Sequence, residues 1–265
     1  MKMYCKDWKQ TLACMTLIAL VPLASVKADI IFSDDFEAQT IGVSPGSPWS
    51  SVEEPGNIEI RVREDDSNLF GLGTDNQILQ LSKTTGGDAG LIRANSIDDA
   101  TTLATLDMNF YHPASDGRIV LRLSSGGSGN IFAGDTAFQL DMADGIVTVF
   151  DGSTNLSGNY QMDTLNSLSV VANSSNVSTT YGGKTLAANS ADIWLNGNLL
   201  IDGGVQRNQQ GQILDRLSFH IFGAETDVNF YVDDIQLQNV AIPEPATLVL
   251  LGIVFGTLMI FRRRK

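Results

Sequence analysis

Two carboxylates and four aromatic side chains are the residues whose type and placement could do chemistry here. Asp34 falls in the run Ile30-Ile31-Phe32-Ser33-Asp34-Asp35-Phe36, and Asp233 in Phe230-Tyr231-Val232-Asp233-Asp234-Ile235. Alternate residues of a strand share a face, so Asp34 goes with Ile30, Phe32 and Phe36, and Asp233 with Tyr231, Ile235 and Leu237. If those apolar faces point inward, the carboxylates do too, and a buried carboxylate must be paired, hydrogen-bonded or metal-bound. Oxygen donors on adjoining first and last strands would suit one structural Ca²⁺. The competing expectation is that both aspartates bond loop amides or turn to solvent at a bulge. Among the aromatics, Trp194 projects from the face opposite Ile193 and Leu195, beside polar neighbours, and is the first candidate platform for stacking a sugar ring. Trp49, Tyr160 and Tyr181, in polar stretches, stand behind it. A tryptophan so placed equally packs beneath a covering loop.

Catalytic patterns are missing. Glu59 and Glu64 bracket the strand-like segment Glu59-Ile60-Arg61-Val62-Arg63-Glu64, but their parity differs, so they face opposite sides and cannot flank one bond. Two histidines are present: His112 precedes Pro113 in a loop-like stretch, and His220 sits in the strand-like Ser218-Phe219-His220-Ile221, where a structural role is expected. There is no His-Glu-x-x-His, no Gly-x-Ser-x-Gly and no phosphate-cradling loop. No catalytic residue is assigned, and a non-enzyme is expected.

The elements that would carry these residues are short runs of period-two alternation separated by Gly, Asn, Asp and Ser clusters. Leu106/Met108/Phe110, Ile119/Leu121/Leu123, Phe138/Leu140/Met142 and Ile193/Leu195 are examples, and Asn196-Gly197 is a strong hairpin turn. Asp98 to Leu106 could form one or two helical turns; no long amphipathic helix is expected. Many short strands at this spacing predict an all-β antiparallel β-sandwich over residues 29–240.

Charge and cysteine narrow the partners. The chain holds 17 Lys+Arg against 30 Asp+Glu. Eight of the bases and two of the acids lie in the end segments, which leaves 9 bases against 28 acids over residues 29–242, a net charge of −19. Such a field repels nucleic acid and anionic lipid, accommodates neutral glycans, and would require bridging metal ions for uronic-acid polymers. Both cysteines, Cys5 and Cys14, precede residue 29, so no disulfide staples the domain.

Each end of the chain reads as a targeting segment. Lys2, Lys6 and Lys9 lead an apolar run from Thr11 to Leu23, and Val26 and Ala28 place small residues three before and one before a cut. Residues 1–28 are therefore expected to be a signal peptide, with an uncleaved anchor as the alternative. At the other end, residues 241–265 comprise Pro243-Glu244-Pro245, an apolar run from Ala246 to Phe261, and Arg262-Arg263-Arg264-Lys265. The run suits a transmembrane helix whose basic end stays in the cytoplasm.

The order Pro-Glu-Pro, apolar helix and arginine-rich end resembles the PEP-CTERM sorting signal of Gram-negative bacteria. The resemblance implies a transient inner-membrane anchor, processing near Pro243-Glu244-Pro245 by an exosortase, release to the cell envelope or exterior, and a link to exopolysaccharide and biofilm. Phe32-Ser33-Asp34-Asp35-Phe36-Glu37, Asp192-Ile193-Trp194-Leu195-Asn196-Gly197 and Phe230-Tyr231-Val232-Asp233-Asp234-Ile235 together resemble the concanavalin-like (laminin-G-like) jelly rolls of bacterial surface proteins; galactose-binding-like jelly rolls end in similar strands. The functional expectation is a non-catalytic, exopolysaccharide-associated module. The alternatives are a structural or adhesive matrix protein and a divergent polysaccharide lyase or hydrolase.

Overall fold

The alternation read above becomes seventeen strands, with no helix among the described residues of the computed structural model. Those residues are 28–114, 117–125, 136–150, 155–207, 211–222 and 227–239. The expected signal peptide, the Pro-Glu-Pro segment and the membrane helix lie outside them. Among the described residues no helix is long and apolar enough to cross a membrane.

In chain order the strands are β1 (Asp29–Asp34), β2 (Ser51–Glu53), β3 (Ile58–Glu64), β4 (Gln77–Lys83), β5 (Gly90–Ala94) and β6 (Leu103–Tyr111). Next come β7 (Arg118–Ser124), β8 (Thr136–Ala143), β9 (Ile146–Phe150), β10 (Asn155–Asn159), β11 (Leu165–Asn173) and β12 (Thr179–Tyr181). The last five are β13 (Lys184–Leu186), β14 (Ser190–Leu195), β15 (Asn198–Val205), β16 (Arg216–Ile221) and β17 (Val228–Asn239). The first sheet runs β15-β14-β11-β6-β17-β4-β3, with β1 added on β17; the second runs β10-β9-β8-β7-β16-β5-β2; β12 and β13 form a separate hairpin. Pairing is antiparallel throughout, so the fold is an antiparallel β-sandwich.

One apolar cluster draws Leu106, Phe110 and Phe230 from the first sheet and Leu121, Phe138 and Phe219 from the second. Each fully buried Phe contributes about 2 kcal/mol of transfer free energy. The cluster lies wholly between Phe32 and Leu237, within the compact unit Ala28–Ala241, so the domain carries its own core without either end segment. The sheets close tightly along one edge: a Cβ on Gly204 of β15 would sit 2.9 Å from the Val149 side chain of β9.

Turn chemistry behaves as the sequence predicts. Asn196 (φ 50°) and Gly197 (φ 74°) are both left-handed and join β14 to β15, the signature of a type I′ hairpin. The segment from Asp98 to Leu106 departs from expectation. Asp99 takes φ 56°, and Leu103 already begins β6, which is paired on both sides by β11 and β17. Two flanking ladders satisfy its backbone better than one or two isolated helical turns could.

Strand parity also needs correction. On β17, Phe230 and Val232 point into the core, and the register on β6 then slips between Asp233 and Gln236, with Asp234 at φ 51°. Beyond this bulge Ile235 and Leu237 point inward. Tyr231 therefore lies on the outer face, not with Ile235 and Leu237. A second slip, between Ile30 and Phe32 on β1, leaves Ile30 exposed while Phe32 is buried. An extra residue inverts the faces of a period-two strand, and nothing in the alternation itself announces it.

Candidate functional site

Asp34 and Asp233 are buried, and both are engaged by protein donors. Asp34 accepts from the Phe36 N–H (2.9 Å), the Gln39 amide (3.1 Å) and the Trp49 indole N–H (2.8 Å). Asp233 accepts from the Asn76 amide (2.9 Å) and the Asp234 N–H (2.8 Å). Burial raises the Asp34 carboxyl above its ordinary value and pushes Asp233 up to about 6, against the lowering effect of these donors. This is the hydrogen-bonded arrangement that competed with a shared Ca²⁺. Among the described residues no three His, Cys, Asp or Glu side chains converge to hold a metal.

The four aromatics separate. Trp49 is only 6% exposed, edge-on to Phe32 at 5.1 Å, and serves as the donor that anchors Asp34. Tyr160 is also 6% exposed, edge-on to Phe110 at 5.4 Å, with its hydroxyl 2.5 Å from His112 Nδ1. Neither can stack a sugar. Both look polar in sequence because their neighbours are turn residues, while the side chains fold back into the core. Trp194 and Tyr181 do come together. The Trp194 indole donates to the Tyr181 hydroxyl (3.0 Å), and that hydroxyl donates to Asp192 (2.5 Å). Lys184 bridges Asp192 (2.5 Å) and Asp202 (2.7 Å). The β12–β13 hairpin thus covers the outer face of β14, leaving Trp194 half-buried.

A more polar assembly lies on the second sheet, and the sequence reading passed over it. Register aligns Arg93 of β5 with Ser218 of β16, Ser218 with Arg122 of β7, and Arg122 with Gln139 of β8. The neighbouring row, Ile92, Phe219, Leu121 and Leu140, belongs to the core, so alternation puts the polar row on the opposite face. Arg118, Asp141, Arg216 and His220 share that face by parity, and Arg207, just beyond β15, reaches it through its side chain. Their bonding is dense. Arg122 donates to Gln139 (3.1 Å), Arg207 donates to the same amide oxygen, Gln139 donates to Asp141 (2.8 Å), and Asp141 pairs with Arg118 (2.6 Å). Ser218 and His220 share a hydrogen bond of 2.9 Å. The Arg118 guanidinium lies 4.7 Å from the Phe222 ring centre, and that of Arg207 lies 4.8 Å from Phe150.

This face turns away from the core, yet Arg122 is 2% exposed and Arg216 is 5% exposed. Burial, with the charge of Arg207 beside it, brings the Arg122 guanidinium down to about 10. Burial, with Arg122 and Arg93 nearby, takes the His220 imidazole down to about 3, so it is neutral. Two arginines also hold buried nitrogens without an acceptor, Nε and Nη1 of Arg93 and Nε of Arg216. The signal available in the sequence was parity alone: Arg118 and Arg122 four apart, and Arg216, Ser218 and His220 two apart, each interleaved with core residues.

Comparison with known proteins accounts for the end of the chain and for the fold. Residues 241–265 match the PEP-CTERM protein-sorting motif. The chain carries a PEP-CTERM sorting signal. This signal marks the protein for export and exosortase-dependent sorting to the surface or exterior of a Gram-negative cell. No curated protein matches the chain. Among solved structures, a chain named sialidase aligns with TM-score 0.56 and 12% identity, over 80% of this chain and 19% of that one. A carbohydrate esterase of the Shiga toxin-encoding bacteriophage phi24B aligns with TM-score 0.54 and 11% identity, over 81% of this chain and 100% of its own. A Bacillus subtilis protein of unknown function with a galectin-like fold gives TM-score 0.50 and 10% identity, over 80% and 98%. These likenesses establish a shared jelly-roll-type sandwich, and the presence of enzyme names among them leaves binding and catalysis both open to the fold.

Proposed function

We propose that this PEP-CTERM protein is a non-catalytic, glycan-associated module of the cell surface or extracellular matrix, and that its ligand face is the polar face of the second sheet. One observation carries the reading: register sets Arg93, Ser218, Arg122 and Gln139 in one polar row on a sheet face turned away from the core, with the more exposed Arg118 and Arg207 beside it. Rows of planar donors and amides beside partly exposed rings are what hydroxyl- and carboxyl-rich polymers are held by. Phe150 and Phe222 flank the row, each with a guanidinium over its ring. The exported location gives such a face access to the producer's own exopolysaccharide, with the exosortase as the processing partner and the C-terminal helix as a transient anchor.

Catalysis by His220 is the reading this geometry disfavours. A general base works best with a pKa near the operating pH, and His220 is held at about 3. Its hydrogen bond to Ser218 is also already made.

The test is retention of residues 29–240 on a panel of polysaccharides that includes the producer's extracellular material, run with Ca²⁺ and with EDTA. Saturable retention weakened by Arg207→Gln and kept in Trp194→Ala supports the second-sheet face. Loss in Trp194→Ala alone would move the site to the Trp194–Tyr181 corner. Retention only with Ca²⁺ would restore a metal role for the aspartates. No retention of folded protein would favour the structural or adhesive alternative.

A further inference from the structure

We infer that the outer face of the first sheet is a second glycan site, which binds an uncharged polysaccharide chain by stacking it on Tyr111 and Tyr231. The inference shares the ligand class of the reading above but uses the opposite face, so the two stand or fall separately. Register sets Leu165 of β11, Tyr111 of β6, Tyr231 of β17, Gln80 of β4 and Arg61 of β3 opposite one another in a single row. At about 4.8 Å between strands, the row is about 19 Å long. Phe110, Phe230, Leu81 and Ile60, next to it along the strands, belong to the core, so alternation puts the row outside. Leu165 is exposed, and Tyr111 and Tyr231 are half-buried. The two ring centres lie 6.3 Å apart with the planes inclined at 64°. Neither ring is spent on the core as Tyr160 is, and half-open rings of this kind are what the C–H face of a sugar stacks on.

Partners for hydroxyl groups flank the rings on both sides. On one side the Asn109 amide donates to the Asp234 carboxylate at 2.9 Å. Asp234 is exposed because the β17 bulge, where it takes φ 51°, presents it on this face. A bulge inside a sheet gives up ladder hydrogen bonds, and bulges gather where a side chain must be re-aimed. On the other side the Gln80 amide donates to the Tyr231 hydroxyl (3.4 Å) and accepts from Arg63 (3.1 Å). Beside it a cavity of about 200 Å³ is lined by Arg63, Asp66, Ser67, Leu69, Gln80 and Tyr231. It is smaller than the ~300–1,000 Å³ of drug-sized sites and suits a single sugar ring. Charge selects an uncharged chain. Both guanidinium groups here already hold carboxylates, Arg61 that of Glu54 and Arg63 that of Glu59. Asp234 and Asp107 add negative charge to the same face, on a domain with 9 basic side chains against 28 acidic ones over residues 29–242. An anionic polymer is repelled there, whereas a neutral one meets rings, amides and carboxylates that accept its hydroxyls.

The test is affinity electrophoresis of residues 29–240 in EDTA through gels containing hydroxyethyl cellulose, galactomannan or dextran, with polygalacturonate as the charged comparison. At least one neutral polymer should retard the protein. Tyr111→Val and Tyr231→Val should each weaken that retardation about tenfold, with circular dichroism and melting temperature followed in parallel. Tyr231→Phe keeps the ring and should bind within about threefold of the wild type. Valine and phenylalanine both favour strands, so a loss confined to the valine variant reports the ring and not the fold. Full binding by both valine variants would overturn the inference. So would loss in Arg207→Gln with both valine variants unaffected, which would put the neutral polymer on the second sheet and leave the glycan reading intact. Equal retardation by polygalacturonate, lost in the same tyrosine variants, would overturn the uncharged class. If no neutral polymer retards the folded protein the inference falls, while the glycan reading falls only if the producer's own polysaccharide is also not retained.

Discussion

The outer faces of the two sheets answer the same polar-apolar alternation in opposite ways. On the first sheet, β6 alternates buried and half-buried residues along its whole length, and outward side chains such as Arg63 and Glu59 meet as an exposed pair at 3.2 Å. On the second, β16 is buried at every position, although Arg216, Ser218 and His220 point away from the core. A polar face in water gains little from each contact, because solvent competes and screens. A polar face removed from water must satisfy each group or carry the cost. The second sheet is therefore where a single side chain should matter most to the fold.

That contrast can be broken most directly at Gln139. Gln139→Leu removes the acceptor shared by Arg122 and Arg207 and the donor to Asp141, and should destabilise the domain by about 3 kcal/mol in urea unfolding. A loss below about 1 kcal/mol would mean that the network is wet and the two faces are alike.

The pH response should differ in sign between the sheets. His220 titrates near 3 in the folded protein, below its ordinary 6.5, so the unfolded chain takes the proton first and stability is lost as pH falls from 6.5 toward 3. Between pH 7 and pH 5 the wild type should lose about 2 kcal/mol relative to His220→Gln. Asp233, on β17 of the first sheet, titrates near 6, above its ordinary 3.8. Its contribution is present below 3.8 and is lost as pH rises through 6, so the wild type should lose about 2 kcal/mol relative to Asp233→Asn between pH 4 and pH 7. Unfolding free energies of the three proteins at these pH values check both; slopes of the same sign would refute the contrast.

Tyr181→Phe sharpens the comparison within the first sheet, at its covered corner. It removes the donor to Asp192 and the acceptor of the Trp194 indole, and about 1 kcal/mol of thermal stability should go with them. Arg63→Gln, on the open part of the same face, should change stability by less than about 0.5 kcal/mol. If the open-face change proves as costly as the one at the covered corner, hairpin β12–β13 is not what distinguishes them.

Much of this molecule could be read before any coordinates. Interleaving of Leu106, Met108 and Phe110 with Asp107 and Asn109 marked a strand and its core side, because the pleat repeats every two residues whatever the fold. Asn196-Gly197 marked its hairpin because few other pairs tolerate two left-handed positions in succession. The sorting signal was legible because it is a linear code. Trp49, Tyr160 and the bulge at Asp233–Asp234 were not, since their burial or facing depends on residues far off in the chain: Asp34 for Trp49, His112 for Tyr160, and β6 for the bulge.

The sequence by itself determined that this is an exported, disulfide-free, all-β domain with strong net negative charge and a C-terminal sorting signal, because composition, period and linear motif are properties of neighbours in the chain. The tertiary structure decided which polar face is buried. Arg93, Arg122, Gln139, Arg207 and Arg216 come from five separate segments, and only the pairing of β5, β16, β7 and β8, with Arg207 arriving from beyond β15, gathers their few positive charges on one surface.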